Sequence, residues 1–290
     1  RYTPDMTVRV ACAQFSPQKA QVEANLDRIV SITEDATAEG VDLLVFPETA
    51  TSGYFLEGGV LECSRTADEL LARFQPVRLS RPMDVVLGFY ERADEDLYNS
   101  CAYLSFDGQT WRMVHVYRKF FLPTYGVFDE ARFVSRGTEL GVCETRFGRI
   151  GLMICEDVWH SIIPTLSAAS GATLLIAPAA SPARGFRGEL PGNLERWERL
   201  LQMISEEHSL HCLASMLCGF EGGKGFAGGS LIVDPMGQTI GRGPLHEEFL
   251  LVADLDLDLT SIARARSPLL GDLRASWADI VRIASEIESG

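Results

Sequence analysis

The stretch Arg149-Ile150-Gly151-Leu152-Met153-Ile154-Cys155-Glu156-Asp157-Val158-Trp159 decides the reading of this chain. An apolar strand-like run stops where a thiol, two carboxylates and an aromatic ring begin. The next strand-like run, Thr173–Ala177, follows after a segment long enough for a helix, so Ile150 to Ala177 reads as a β-α-β unit with parallel strands. Val8–Phe15, Ala24–Glu39 and Val41–Phe46 repeat the pattern at the start of the chain. The helical segment has Leu26, Ile29, Val30, Ile32 and Thr33 on one side and Gly40 as its stop. Between them, Asp84–Glu91, Asn99–Phe106 and Arg112–Tyr117 are separated by short turns such as Asp107-Gly108, which implies antiparallel pairing. Cys212–Gly219, Ser230–Asp234 and Phe249–Asp254 read as further strands, and Leu194–His208 and Ala278–Ile287 as helices. Several strands are apolar almost throughout, as expected where both faces of a sheet are covered. The result is an α/β chain with mixed sheets inside and helices outside.

Size and charge narrow the function. The 290 residues are 46% hydrophobic and 23% charged, enough for a large core, with no composition break or linker, so one domain over residues 1–290 is expected. A formal charge of −14 argues against nucleic acid or an anionic membrane surface as partner. No run approaches a membrane span, and the start, Arg1 to Met6, leads into an apolar strand without a basic leader. The seven cysteines are scattered and lack a C-x-x-C pair, as in a reduced, cytoplasmic chain.

Three islands stand at the ends of apolar runs: Phe46-Pro47-Glu48, Tyr117-Arg118-Lys119 and Ile154-Cys155-Glu156-Asp157. Each has an ordinary explanation alone: a turn cap, a solvated cation, a core thiol. Together a carboxylate, an ammonium and a thiol are the parts of a cysteine-dependent acyl-transfer site, and in parallel α/β sheets sites form beyond the carboxyl ends of strands. Glu156 and Asp157 beside the thiol would oppose its ionisation, so a nearby cation and a base are required. Gly223-Lys224-Gly225-Phe226-Ala227-Gly228 fits G-x-G-x-x-G but opens onto a strand, so a hairpin turn is expected rather than a dinucleotide loop. His208 and His211 lack a third metal ligand, and no metal or cofactor is expected.

These islands, with Ala13-Gln14, Ser52-Gly53-Tyr54 and Gly228 to Gly237, resemble the nitrilase superfamily of carbon–nitrogen hydrolases, which use Glu, Lys and Cys in that chain order. Lys119 to Glu130 and Cys155-Glu156-Asp157-Val158-Trp159 are similar to the glutaminase domain of glutamine-dependent NAD synthetase. The resemblance implies a four-layer α-β-β-α sandwich, catalytic Glu48, Lys119 and Cys155, and Glu130 as a second catalytic carboxylate. It also implies a substrate head held by Tyr125, the backbone at Phe128 and Glu156, with Trp159 and Ser181 nearby. Glu156 serves either a substrate ammonium or a structural pairing with an Arg; Tyr125 and Trp159 are either pocket walls or core aromatics. Two features depart from that branch: no S-G-G-x-D-S pyrophosphate loop is present, and Ala177-Pro178-Ala179-Ala180-Ser181-Pro182 lacks its usual asparagine. Arg184 and Arg187 align only loosely with the branch's carboxylate-binding Arg. The implied activity is hydrolysis of a small-molecule amide through a thioester, releasing ammonia, with a homodimer or higher homo-oligomer as the assembly. Alternatives are a nitrilase, an N-carbamoyl hydrolase, an ammonia-supplying subunit of a separate synthetase, a silent scaffold, or a thiol redox sensor.

Overall fold

Along the first strand, Thr7–Gln14, successive side chains enter different cores. Val8, Val10 and Cys12 pack into one apolar cluster and Ala11 and Ala13 into another. Leu43 and Val45 against Leu44, and Val86 against Val85 and Leu87, divide the same way. That is the two-residue period of a strand with apolar matter on both faces, and it explains why these runs lack polar alternation.

The computed structural model describes residues 7–187 and 190–288 and contains two six-stranded sheets. In the first the spatial order is Phe249–Asp256, Thr7–Gln14, Leu43–Val45, Met83–Ala93, Asp96–Phe106 and Trp111–Arg118. In the second it is Thr239–Arg242, Leu231–Val233, His211–Met216, Leu174–Ala179, Gly148–Leu152 and Gly141–Thr145. Thr7–Gln14, Leu43–Val45 and Met83–Ala93 run parallel, as do Gly148–Leu152, Leu174–Ala179 and His211–Met216; every other pairing in the two sheets is antiparallel. One cluster joins the facing sheets, with Val10, Val45 and Val86 among Leu152, Ile176 and Ala214. Helices Val22–Ala38 and Ala67–Phe74 cover the first sheet through Leu26, Ile29, Leu70 and Phe74. Helices Ile162–Ala169 and Gly192–His208 cover the second through Ile163, Trp197 and Leu201. The layering is α-β-β-α.

Short edge strands escaped the sequence pattern, because Gly141–Thr145 and Thr239–Arg242 are brief, only partly buried and interrupted by glycine and charged residues. The glycine-rich stretch is a hairpin: Cys218–Glu221 pairs antiparallel with Lys224–Ala227, and Gly222 and Gly223, at φ +55° and +78°, make its two-residue turn. The expected strand Ile150–Cys155 ends earlier, at Leu152. Cys155 instead opens the short 3-10 helix Cys155–Trp159. Gly188 and Glu189, in the glycine-rich loop Ser181–Asn193, lie outside the described residues. No described helix is long and apolar enough to cross a membrane.

Candidate active site

Glu48 leaves the Leu43–Val45 strand on a turn pressed against Gly88 of the neighbouring strand. A Cβ at Gly88 would lie 2.3 Å from the Pro47 carbonyl oxygen and 2.6 Å from the Thr49 nitrogen, so only glycine admits this approach. Lys119 follows Trp111–Arg118, where two antiparallel steps restore the direction of the parallel strands and bring its end to the same edge of the sheet. Glu130 begins a 3-10 turn, Glu130–Arg132, beneath the loop that Lys119 opens.

The three charged side chains meet out of water. Lys119 Nζ donates to Glu48 Oε1 and to Glu130 Oε2, each at 2.7 Å. Glu48 is 0% exposed, Lys119 1% and Glu130 5%. Burial alone would drive the lysine toward its neutral form, but the carboxylates of Glu130 and Glu48 outweigh it, and Lys119 holds its proton well above the ordinary lysine range. Burial pushes the Glu130 carboxyl up, against the Lys119 charge. Asn99 Nδ2 donates to Glu48 Oε1 at 2.7 Å and to Glu130 Oε1 at 2.5 Å, and Tyr54 OH donates to Glu130 Oε2 at 3.1 Å.

Cys155 has φ +44°, a left-handed backbone at a non-glycine residue, which turns the chain abruptly after the strand. Its Sγ lies 3.8 Å from the Ala180 carbonyl oxygen, while the Ala180 N–H donates to Glu48 Oε2 at 2.8 Å. One peptide residue therefore touches both the acid and the thiol. Burial pushes the thiol well up, and Glu48 adds to this while Lys119 opposes it. The neighbouring carboxylates act differently from the sequence expectation, because the charge raising the thiol is Glu48, far away in the chain.

Asp157 is turned inward. Its Oδ1 accepts from the N–H groups of Phe120 and Phe121 at 3.2 and 2.8 Å. Its Oδ2 accepts from the Ile154 N–H at 3.0 Å and from Tyr117 OH at 2.9 Å. The carboxylate thus ties the chain just after Lys119 to the chain just before Cys155. Burial raises it to about 6, against the bonds from Phe121, Ile154 and Tyr117 and the charge of Lys119.

The expected substrate-head residues lie outside this group. Tyr125 OH donates to Glu156 Oε2 at 2.9 Å, and Glu156 has His160 at 3.6 Å; no Arg pairs with Glu156 among the described residues. The Phe128 N–H is used in a turn to the Tyr125 carbonyl. Its ring lies 5.6 Å from that of Tyr125 and carries the Arg184 guanidinium 5.1 Å above it. Trp159 packs edge-on against Trp197, and both Trp159 and Tyr125 line a cavity of about 460 Å³ with Arg184, Asn193 and Arg196. Ser181 Oγ accepts from Asn193 and Trp197, each at 3.1 Å, so this hydroxyl anchors the helix Gly192–His208 to the site. A second cavity of about 480 Å³, on the other side, is lined by Tyr54, Phe55, Glu130 and Lys224.

Asn99, Tyr54, Ala180 and the inward role of Asp157 were missed in the sequence. Asn99 is a polar residue at a fully buried position of a strand, and such a residue signals a partner only once its neighbours are known. Ala180 acts through its backbone, which no side-chain pattern encodes. Among the described residues no group of three His, Cys, Asp or Glu side chains is placed to hold a metal ion.

The carbon–nitrogen hydrolase family matches residues 9–265. The glutamine-dependent NAD(+) synthetase of Thermotoga maritima is 36% identical over 258 residues, which cover 87% of this chain but 42% of that protein. The chain thus spans less than half the length of that relative. The carbon–nitrogen hydrolase of Helicobacter pylori superposes with a TM-score of 0.82 at 22% identity, covering 95% of this chain and 98% of the other. A mutant of the amidase from Nesterenkonia sp. AN1, carrying the acetamide moiety of fluoroacetamide on its active-site cysteine, superposes with a TM-score of 0.74 at 24% identity over 94% of this chain and 95% of that one. The chain belongs to the carbon–nitrogen hydrolase family, hydrolases acting on carbon–nitrogen bonds.

Proposed function

We propose that the chain hydrolyses a small-molecule amide through a thioester on Cys155, with Glu48 as general base and Lys119 as oxyanion donor. The observation that carries this is Lys119 held at 2.7 Å by two buried carboxylates, with the Cys155 thiol under the electrostatic influence of both Glu48 and Lys119. A thiol pushed up by burial rests protonated and needs a base in the attack itself. Glu48 takes that proton as sulfur bonds to the amide carbon. The oxyanion is met by the Lys119 ammonium and the Glu156 backbone N–H, where one such donor is worth about 3 kcal/mol in the transition state. Glu48 returns the proton to the leaving nitrogen, ammonia departs, and water activated by Glu48 attacks the thioester to release the acid. Glu130 keeps the ammonium of Lys119 aimed at the carbonyl.

For the substrate we favour an ω-amide with an amino-acid head, glutamine or a close relative. The Tyr125 phenol has the Glu156 carboxylate on one side and is influenced by the Arg184 guanidinium as well. A carboxylate and a guanidinium flanking one hydroxyl complement an ammonium and a carboxylate on one carbon. The Thermotoga maritima relative, by name a glutamine-dependent enzyme, supports the same reading. The test is ammonia release over glutamine, asparagine, aliphatic amides, nitriles and N-carbamoyl amino acids, with intact-mass detection of an acyl group on Cys155. Glutamine turnover abolished in Cys155→Ser is the expected result; turnover unchanged in that variant sinks the assignment.

A further inference from the structure

Two carboxylates and one ammonium share a volume closed to water, leaving the group one negative charge in excess. Such a group ordinarily takes up a proton, because like charges in a poorly solvated site oppose each other's ionisation. Proton uptake by Glu48 would remove the base. Among the described residues the groups facing the pair are Lys119, Tyr54, Tyr90, Cys101, Cys155 and Glu221, with Asp157 behind Lys119. Lys119 is the one cation among these seven.

Asn99 supplies what is missing. Its Nδ2 carries two hydrogens, and one is directed to Glu48 Oε1 at 2.7 Å, the other to Glu130 Oε1 at 2.5 Å. Its backbone carbonyl accepts the Lys119 N–H at 2.8 Å. One residue therefore contacts both carboxylates and the backbone of the lysine between them. Asn99 Oδ1 is buried without a partner among the described residues, so the amide satisfies its donors at the expense of its acceptor. The reverse orientation would set Oδ1 against two carboxylates. Neither Asp nor Ser can replace this function, since Asp offers no donor when ionised and Ser only one.

We infer that Asn99 is a positioning residue that keeps Glu48 and Glu130 both ionised around a single lysine, so that the base is free to accept the thiol proton. The inference rests on the amide-hydrolysis reading for its kinetic arm alone; a second arm uses alkylation of Cys155 by iodoacetamide, located by intact mass and peptide mapping.

In Asn99→Ser the pair takes up its proton at higher pH. The acid limb of kcat/KM moves up by about one pH unit, and kcat falls about 10- to 100-fold while KM stays within about threefold. Cys155 alkylation moves the other way, to lower pH, because a protonated Glu48 no longer raises the thiol, and this holds whether or not an amide substrate has been found. Asn99→Asp, close in shape but adding a third carboxylate, is slower still. Asn99→Asp combined with Glu130→Gln restores the charge count and recovers at least about tenfold in alkylation rate over Asn99→Asp alone. A purely structural asparagine gives no such recovery. If Asn99→Ser does not fold, the Asp and Asp/Gln pair decides. Wild-type acid limbs in folded Asn99→Ser, or no recovery in the double variant, overturn the inference. Shifted alkylation with no amide hydrolysed retains it while refuting the substrate reading.

Discussion

Glu48 and Ala180 are joined by a 2.8 Å hydrogen bond from the Ala180 N–H to Oε2, across 132 residues of chain. Glu48 follows a strand of the first sheet and Ala180 a strand of the second, so the bond ties one sheet to the other at the edges that carry the candidate site. The same Ala180 accepts from the thiol. The spacing between Glu48, the proposed base, and the Cys155 thiol is thereby set by the packing of the sheets.

Glu48→Gln separates the two effects of this carboxylate on Cys155. The Gln side-chain oxygen still accepts the Ala180 N–H, but it takes no proton, and amide turnover falls about 10²- to 10⁴-fold. The charge that raises the thiol is also gone while Lys119 remains. Cys155 therefore ionises at lower pH than in the wild type, and its alkylation by iodoacetamide shifts to lower pH as turnover is lost. Measuring both on one preparation is decisive: an alkylation profile moved to higher pH contradicts the assigned electrostatics, and retained turnover contradicts the base.

Much of this architecture was legible from residue patterns. Apolar runs mark most of the inner strands, and Glu48, Lys119 and Cys155 stand where such runs give way to polar residues, Glu48 and Cys155 after parallel strands and Lys119 after the antiparallel Trp111–Arg118. Hydrophobic patterning could not reveal the partly buried edge strands Gly141–Thr145 and Thr239–Arg242, whose pairing depends on neighbours distant in the chain. Nor could it show which way Asp157 points. In the sequence it is a second acid beside a thiol, and in the fold it is an internal acceptor for four donors. Local composition fixes where charge can be placed, but tertiary contacts decide what each charge meets.

Asp157 makes a pH-dependent contribution whose sign follows from burial. Its carboxyl sits at about 6 in the fold, above the usual 3.8. Between those values the native state holds a proton that the unfolded chain releases. The native advantage is complete below about pH 4 and is lost as pH rises through about 6, by at most about 3 kcal/mol. Asp157→Asn should remove this window and, having one acceptor oxygen for four donors, cost about 2–4 kcal/mol at pH 5. Urea midpoints for both proteins from pH 4 to 7 check this. A stability difference between them that does not change across that range refutes the assigned titration.

Gly88→Ala tests the close approach that seats the base. The added methyl would meet backbone atoms of Pro47 and Thr49, which cannot rotate away as a side chain could. Displacing that turn moves Glu48 off both Lys119 and Ala180. We expect a loss of about 1–3 kcal/mol in stability and at least about 100-fold in kcat, because misplacement by about an ångström is costly to a positioned group. Thermal melting and ammonia release report the two separately. Full activity in this variant would mean the turn tolerates movement and Glu48 is not held by it.

Arg184→Gln discriminates between substrates. The guanidinium lies over the Phe128 ring, lines the cavity with Tyr125 and Trp159, and is held at its backbone by a 2.9 Å bond from its N–H to Asn193 Oδ1. Its side chain has no carboxylate partner among the described residues, so its charge is available to a ligand. If the substrate presents a carboxylate there, removing the charge costs about 2–3 kcal/mol of binding, or roughly 30- to 160-fold in kcat/KM. A simple aliphatic amide has nothing at that position and should lose less than about threefold. The ratio of the two kcat/KM values is therefore the informative quantity, and it cancels any general disturbance of the loop. A ratio unchanged by the substitution removes the amino-acid head from the substrate while leaving amide hydrolysis at Cys155 intact.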